Sequence, residues 1–256
     1  MSERHPQPVA LVTGAGRRVG YAVAGYLAKY GYRLAVHAHR SLDRASDLAR
    51  RISDGGTEAV AVSADVSDQQ QVESMVAEVH ERFGRIDALV NSAAVWSSGK
   101  LEDVKAEDVR KHFEINALGT FLCCQQVGLL MVGQSRGGAI VNIGDWAVVR
   151  PYTDYAAYFP SKGAIATMTR MFAVELASRN PDVRVNAIAP GPVLLPEGLS
   201  PAERDAIVAS TLVRRAGSPE HVAHAVRFLI ENDFVTGVTL PVDGGRTVYA
   251  PGEARD

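Results

Sequence analysis

Cysteine is almost missing: the 256 residues contain two, Cys123 and Cys124, and they are sequence neighbours. Adjacent cysteines neither frame a disulfide network nor match zinc-ligand spacing, so both are read as packing residues inside a helix. An excess of one charge is missing too. Lysine and arginine number 27 against 29 acidic residues, a net charge of -2, so no long-range field draws nucleic acid or an acidic membrane. No stretch reaches the roughly 18 consecutive apolar residues of a membrane span. The opening segment Met1 to Pro8 carries Glu3, Arg4 and His5 and lacks the apolar core of a secretory signal. These absences predict an unanchored, cytoplasmic protein whose partner is a small molecule, with no nucleic-acid or membrane partner.

The sequence does have, at 46% hydrophobic and 22% charged residues, the balance of a chain that buries its own core. Short β-branched runs recur at Val9 to Thr13, Leu34 to His37, Ala59 to Ser63, Ile86 to Asn91, Ala139 to Ile143, Val183 to Ile188 and Val238 to Val242. Between them apolar residues fall at helical spacing, as in Val19, Val23 and Leu27, or Val72, Met75, Val76, Val79 and Phe83. The alternation predicts an α/β fold: a single doubly wound domain over residues 1–256, its seven-stranded parallel sheet flanked by helices. Wider spacing late in the chain leaves room for two long helices, about Ala106 to Val132 and Tyr152 to Ser178. It also leaves a loop over about 190–216 that holds a short helix near Pro201 to Ala209. Pro190, Pro192 and Pro196 forbid regular structure at its start. The loop is read as a substrate lid or, alternatively, a plain surface connection.

The first strand runs through Thr13-Gly14-Ala15-Gly16-Arg17-Arg18-Val19-Gly20 into an amphipathic helix. Glycines there let the backbone approach a pyrophosphate whose charge the helix N-terminus meets, as in Rossmann-type dinucleotide sites. An NAD site wants a carboxylate about 20 residues further on. This chain offers His37-Ala38-His39-Arg40-Ser41 instead, and its next carboxylate, Asp43, is read as a helix N-cap. Arg40, Ser41 and His39, helped by Arg17, supply charge-assisted hydrogen bonds to a 2'-phosphate, which favours NADP(H), with His37 also expected among the cofactor-binding residues; the alternative is a solvated basic turn. Asp65 is expected either to accept from the adenine amine or to start a helix.

Tyr158 and Lys162 lie four apart, hence on one helical face, where an ammonium would lower the phenol toward useful acidity. Pro160 between them removes a backbone donor near the start of that helix. Thr13-Gly14, Asp65, Asn91, Asn116, Tyr158, Lys162, Pro190-Gly191 and Asp243-Gly244-Gly245 stand in the order and spacing of the short-chain dehydrogenase/reductase family, which the whole chain resembles. The resemblance implies that Tyr158 donates the proton, that Lys162 binds the nicotinamide ribose and lowers the tyrosine, and that Asn116 holds a relay water. It also places the cofactor against Gly14, Gly16, Val19, Gly20, Val66, Asn91, Ser92, Ala93, Pro190 and Gly191, and implies a homotetramer joined through the two long helices.

Three departures matter more than the matches. Arg18 replaces a turn glycine, Asp145 stands where the family carries a catalytic serine, and Asn91-Ser92-Ala93-Ala94 replaces Asn-Asn-Ala-Gly. With His37-Ala38-His39-Arg40-Ser41, they resemble the pteridine reductase and dihydromonapterin reductase branch. That likeness implies that Trp96 stacks on the ligand and Arg18 meets the ring's polar edge or the pyrophosphate, while Ala94 stands where some members carry a ligand-bonding serine. An ionised Asp145 cannot donate to a carbonyl oxygen. Two negative charges about 5 Å apart at an effective dielectric near 20 repel by roughly 3 kcal/mol. The expected reaction is thus hydride transfer from NADPH to a pterin-like C=N with proton delivery through Tyr158 and Asp145, the substrate being met by Arg18, Trp96, Asp145 and Tyr158. The alternatives are a carbonyl reductase of ketones, ketoacyl thioesters or sugars with Asp145 protonated, and a silent NADP(H)-binding sensor. Trp96 can equally be core packing. His221 and His224 lack a third metal ligand, so no metal is expected, and His112 is read as a helix surface residue. Arg40→Ala is expected to weaken NADPH binding far more than NADH binding in a fluorescence titration; equal losses would remove the 2'-phosphate assignment.

Overall fold

Neighbouring residues of the first strand face opposite layers, and that parity organises the molecule. Val9 and Leu11 join one apolar cluster with Met75, Val79, Cys124 and Phe172, whereas Ala10 and Val12 join another with Val23, Leu27, Leu48 and Val226. Burial on both faces is what makes these strands read as continuous hydrophobic runs. The structure, a computed structural model, describes residues 7–249; the first six residues of the opening segment and the stretch 250–256 lie outside the described residues.

In chain order the first half comprises β1 (Val9–Val12), α1 (Arg18–Lys29), β2 (Arg33–His37), α2 (Leu42–Asp54), β3 (Ala59–Val62), α3 (Gln69–Phe83), β4 (Ala88–Asn91) and α4 (Ala106–His112). The second comprises α5 (Gly119–Val132), β5 (Gly138–Ile143), α6 (Phe159–Ala177), β6 (Val183–Pro190), α7 (Pro201–Ala209), α8 (Pro219–Glu231) and β7 (Thr239–Val242). All seven strands pair in parallel, in the order β3-β2-β1-β4-β5-β6-β7. The fold is therefore the Rossmann-like parallel sheet flanked by helices that the alternation predicts. From β1 the chain winds outward to β3, then returns to place β4 on the other side of β1, and that reversal opens a crevice at the carboxyl ends of the strands.

Several expected boundaries move. Helix α6 starts at Phe159 rather than Tyr152, because Asp154 turns left-handed at φ 69° and Tyr155 bridges to Gly99. Pro160 then falls in the first helical turn, where backbone donors have no partner to lose. Ser41 occupies the N-cap of α2, and Asp43 lies inside its first turn. The first long helix keeps its expected bounds, but a π-helical segment, Phe113–Leu118, separates α4 from α5. Contrary to the sequence reading, the helical span Ala106–Val132 contains an 18-residue stretch of mean hydropathy 1.5, long and apolar enough to cross a membrane. More than half of that stretch is buried within the protein, with Cys123, Cys124, Val127 and Met131 in the core, so apolarity here marks a core helix.

Polar pins hold the strand ends. Asn91 and Asn142, register partners in β4 and β5, join through Asn91 Nδ2 and Asn142 Oδ1 at 2.9 Å. Asn91 also donates to Cys124 Sγ at 3.2 Å, and Asn142 donates to Thr169 at 3.0 Å. Burial pushes the Cys123 thiol up to about 12, so the cysteines pack and do not react. At the tip of β1, Thr13 Oγ1 accepts from the backbone N–H groups of Ser92 and Ala93 at 3.0 and 3.1 Å. Thr13→Val keeps the shape and orphans both donors. Chemical denaturation is expected to show a loss of about 2 kcal/mol, with Thr13→Ser close to wild type.

Candidate active site

The glycine-rich turn is closed from below and from the side. Gly14 has φ +65°, and a Cβ there would lie 2.7 Å from the Ala93 Cα. Its N–H donates to His37 Nδ1 at 3.2 Å, so His37 carries its proton on Nε2 and donates it to the Ala64 carbonyl at 2.9 Å. Burial lowers the His37 pKa and keeps the ring neutral. His37, expected among the cofactor-binding residues, is thus a prop beneath the turn, with both ring nitrogens engaged within the protein. A Cβ on Gly16 would meet Ser41 Oγ at 2.3 Å, so glycine is what lets Ser41 reach the turn. Arg17 caps α1, and Arg18, Val19 and Gly20 form its first turn.

Among the described residues no carboxylate lies within ion-pairing distance of Arg17, Arg18, Arg40 or Arg44. A cavity of about 460 Å³ beside the turn is lined by Gly16, Arg17, Tyr21, Arg44 and Arg51, and its one carboxylate, Asp47, pairs with Arg50. His39 faces Asp65 across 3.6 Å. Burial alone would raise the Asp65 carboxyl, but hydrogen bonds from Ser67, with the charges of His39 and Arg40, hold it below the usual range. Helix α3 is capped by Asp68, which removes the helix-start account of Asp65. Val66 packs on Gly119, and Gly191, just past β6, donates to the Val242 carbonyl at 3.0 Å. The Asn91 amide nitrogen is spent on the strand pins, while its Oδ1 is buried with no hydrogen-bond partner among the described residues. A crevice at a strand-order reversal, a glycine cradle a Cβ would fill and unpaired arginines beside it fit a nicotinamide dinucleotide.

Across the crevice Tyr158 Oη donates to Asp145 Oδ2 at 2.9 Å, while Asp145 Oδ1 accepts from the Ala147 N–H at 2.8 Å. One helical turn on, Lys162 Nζ donates to the Ile143 carbonyl at 2.8 Å. Burial, then the charge of Asp145 and the bond to it, raise Tyr158 far above an ordinary phenol. The positive charge of Arg18 opposes this. Arg18 sits at φ 52°, in the left-handed region; a non-glycine residue held there is a reason to look for function. Burial lowers Lys162 to about 8, opposed by Asp145. Asn116 accepts from Val95 N–H at 2.8 Å and donates to Val95 O and Ser161 Oγ, both at 3.0 Å. Its amide is committed to holding the segment before Trp96 against α6, a positioning duty the sequence does not announce.

Trp96 is not core packing. It is 45% exposed and lies flat on Tyr155, with ring centres 5.2 Å apart and planes 13° apart. Tyr155 in turn meets Tyr158 and Tyr152 edge to face at 6.4 and 5.2 Å. His112 corrects a second expectation, since it is 1% exposed rather than on the surface. Its Nδ1 donates to Asp108 O at 2.7 Å, which leaves Nε2 to accept from Ser97 Oγ at 3.2 Å, and its ring stands edge-on to Tyr158 at 6.1 Å. Its position four residues before Asn116 put it on the same helical face, and that spacing was the available signal. His221 accepts from the Ser218 N–H at 3.0 Å and caps α8.

Residues 14–247 match a family model described as enoyl-(acyl carrier protein) reductase. A 3-oxoacyl-[acyl-carrier-protein] reductase from Synechocystis is 36% identical over 246 residues, 94% of this chain and 97% of the relative. The human 3-oxoacyl-[acyl-carrier-protein] reductase is 35% identical over 93% of this chain and 97% of its own. A crystal structure from Sinorhizobium meliloti 1021, assigned as a short-chain alcohol dehydrogenase, superposes with a TM-score of 0.88 at 30% identity, covering 95% of this chain and 97% of the other.

Lys162 yields a pH signature. Its proton is held at about 8 in the folded chain against the ordinary 10.5. The unfolded chain therefore binds more protons between those values, and stability rises with pH across that window. Lys162→Met removes the cost of burying the ammonium. Without added cofactor, denaturation at pH 7 is expected to show a gain of roughly 2 kcal/mol after loss of the bond to Ile143, shrinking as pH rises and becoming a loss of about 1 kcal/mol above pH 10.5.

Proposed function

The chain belongs to the short-chain dehydrogenase/reductase family and is an oxidoreductase, and on that footing we propose that it reduces a C=N bond in a flat, amino-bearing, pterin-like heterocycle with NADPH. The observation that carries this reading is the 2.9 Å hydrogen bond from Tyr158 to Asp145. A ketone acquires negative charge on its oxygen as it is reduced, and a carboxylate beside the proton donor opposes that charge. A heterocycle with ring N–H and amino groups turns the same carboxylate into a hydrogen-bond acceptor. NADPH supplies the hydride. Tyr158 delivers the proton to the reduced nitrogen, and Asp145, fixed through its other oxygen by Ala147, accepts from the ring. Trp96, backed on one side by Tyr155, offers a flat aromatic face at the rim. Arg17, Arg40 and Ser41, beside a cavity rich in arginine, support the choice of the 2'-phosphorylated cofactor.

Reduction of a carbonyl is the second reading, and the names of the Synechocystis and human relatives favour it over the heterocycle. Those names describe acyl thioester ketones, and the relatives are about one-third identical to this chain. A homotetramer goes with either reading; Leu118, Leu129 and Val174, exposed on the long helices, support it.

The deciding test is NADPH oxidation with 7,8-dihydrobiopterin and dihydromonapterin against ketones and ketoacyl thioesters, wild type beside Asp145→Ser. Turnover of the pterins is expected, falling on the order of a hundredfold in the serine variant. Ketone turnover that rises with serine would assign the carbonyl reading instead.

A further inference from the structure

Past β7 the chain folds into a tight turn built by Asp243, whose carboxylate accepts from the N–H groups of Gly245 at 2.9 Å and Thr247 at 2.6 Å. Arg150 clamps the same turn from the other side, donating to the Arg246 carbonyl at 2.8 Å and to that of Tyr249. Held at both ends, Arg246 lays its guanidinium over the indole of Trp146, 4.1 Å from the ring centre. Trp146 directly follows Asp145 and stacks on Tyr152, with ring centres 6.2 Å apart. Arg246 therefore stands on the same wall as the Asp145 and Tyr158 pair, on rigid supports.

This cation has shed water without gaining a counter-charge. It is half-buried, and among the described residues no carboxylate lies within ion-pairing distance of it. Asp243, three residues away, has both oxygens turned to backbone donors. Burial, with the neighbouring Arg150, weakens its hold on its proton, while Tyr152, Asp145 and Asp243 strengthen it. An aromatic face beneath a guanidinium leaves the edge of the fork free, and that edge matches the two oxygens of a carboxylate. Asp145 lies beyond ion-pairing distance of that edge, held where it is by its bonds with Tyr158 and Ala147.

We propose that Arg246 determines substrate specificity by binding a carboxylate carried on the substrate's side chain, outside the ring that is reduced. The choice of ring rests on the pterin-like reading above; the acidic group rests on the Trp146 and Arg246 platform alone. The substrate class is then a reducible heterocycle with an acidic tail, and an uncharged side chain marks a poorer substrate.

The test compares 7,8-dihydrofolate, whose tail is acidic, with 7,8-dihydrobiopterin, whose tail is neutral, in wild type, Arg246→Gln and Arg246→Lys. The ratio of kcat/KM for the acidic over the neutral acceptor is expected to fall about tenfold or more in the glutamine variant, through KM, and to recover in part with lysine. A merely structural role lowers both acceptors together, and an unchanged ratio overturns the proposal. If wild type reduces neither pterin, the heterocycle reading falls while Arg246 is judged on acetoacetate against its ethyl ester. The same selective loss then supports it, and an equal loss, or no turnover of either, overturns it.

Discussion

A parallel sheet covered on both faces has nowhere to meet a ligand except at the ends of its strands, and this constraint shapes the rest of the molecule. Side chains from Val9 to Val12 are fully buried in alternation above and below the sheet, so polar chemistry is confined to the carboxyl ends. There Thr13, Asn91 and Asn142 hold neighbouring strands together with hydrogen bonds that the ladder itself does not supply. The turn, the carboxylate and the tyrosine are presented from β1, β5 and α6 to one crevice because the strand order reverses beside β1.

The second governing feature is how few charges that crevice contains and how tightly each is placed. Asp145 is fastened by Ala147 and Tyr158, Lys162 is buried against the Ile143 carbonyl, and Arg18 reaches in from the glycine turn. Burial drives the phenol up and the ammonium down, so solvent exclusion, more than any one neighbour, sets the ionisation of the site. In such surroundings, exchanging a hydroxyl donor for a carboxylate acceptor changes what the site can hydrogen-bond, with no change of fold.

What could be read from sequence was what depends on local order. The seven strands lie within two residues of their expected limits, and the short helix Pro201–Ala209 was read to the residue, because periodicity and proline placement fix them. The turn, Tyr158, Lys162 and Asp145 were also legible, since each sits in a motif with fixed spacing. What could not be read depends on distant packing. His112 belongs to a polar stretch, yet Ser97 and Tyr158 fold over it. Trp96 was open to a core reading until Tyr155 was seen to occupy one of its faces and solvent much of the remainder. Arg246 gave no signal, because its neighbour Trp146 lies 100 residues earlier in the chain. The charge of Arg18 bears on Tyr158 from far away in the chain.

Arg18 has one further consequence, which concerns mutation rather than chemistry. Its left-handed backbone costs roughly 1 kcal/mol relative to glycine, so glycine would be the more stable residue there. Every arginine codon lies one nucleotide from a glycine codon, which makes that change both downhill in folding energy and easily reached. A laboratory lineage selected for thermostability alone should therefore lose this arginine early.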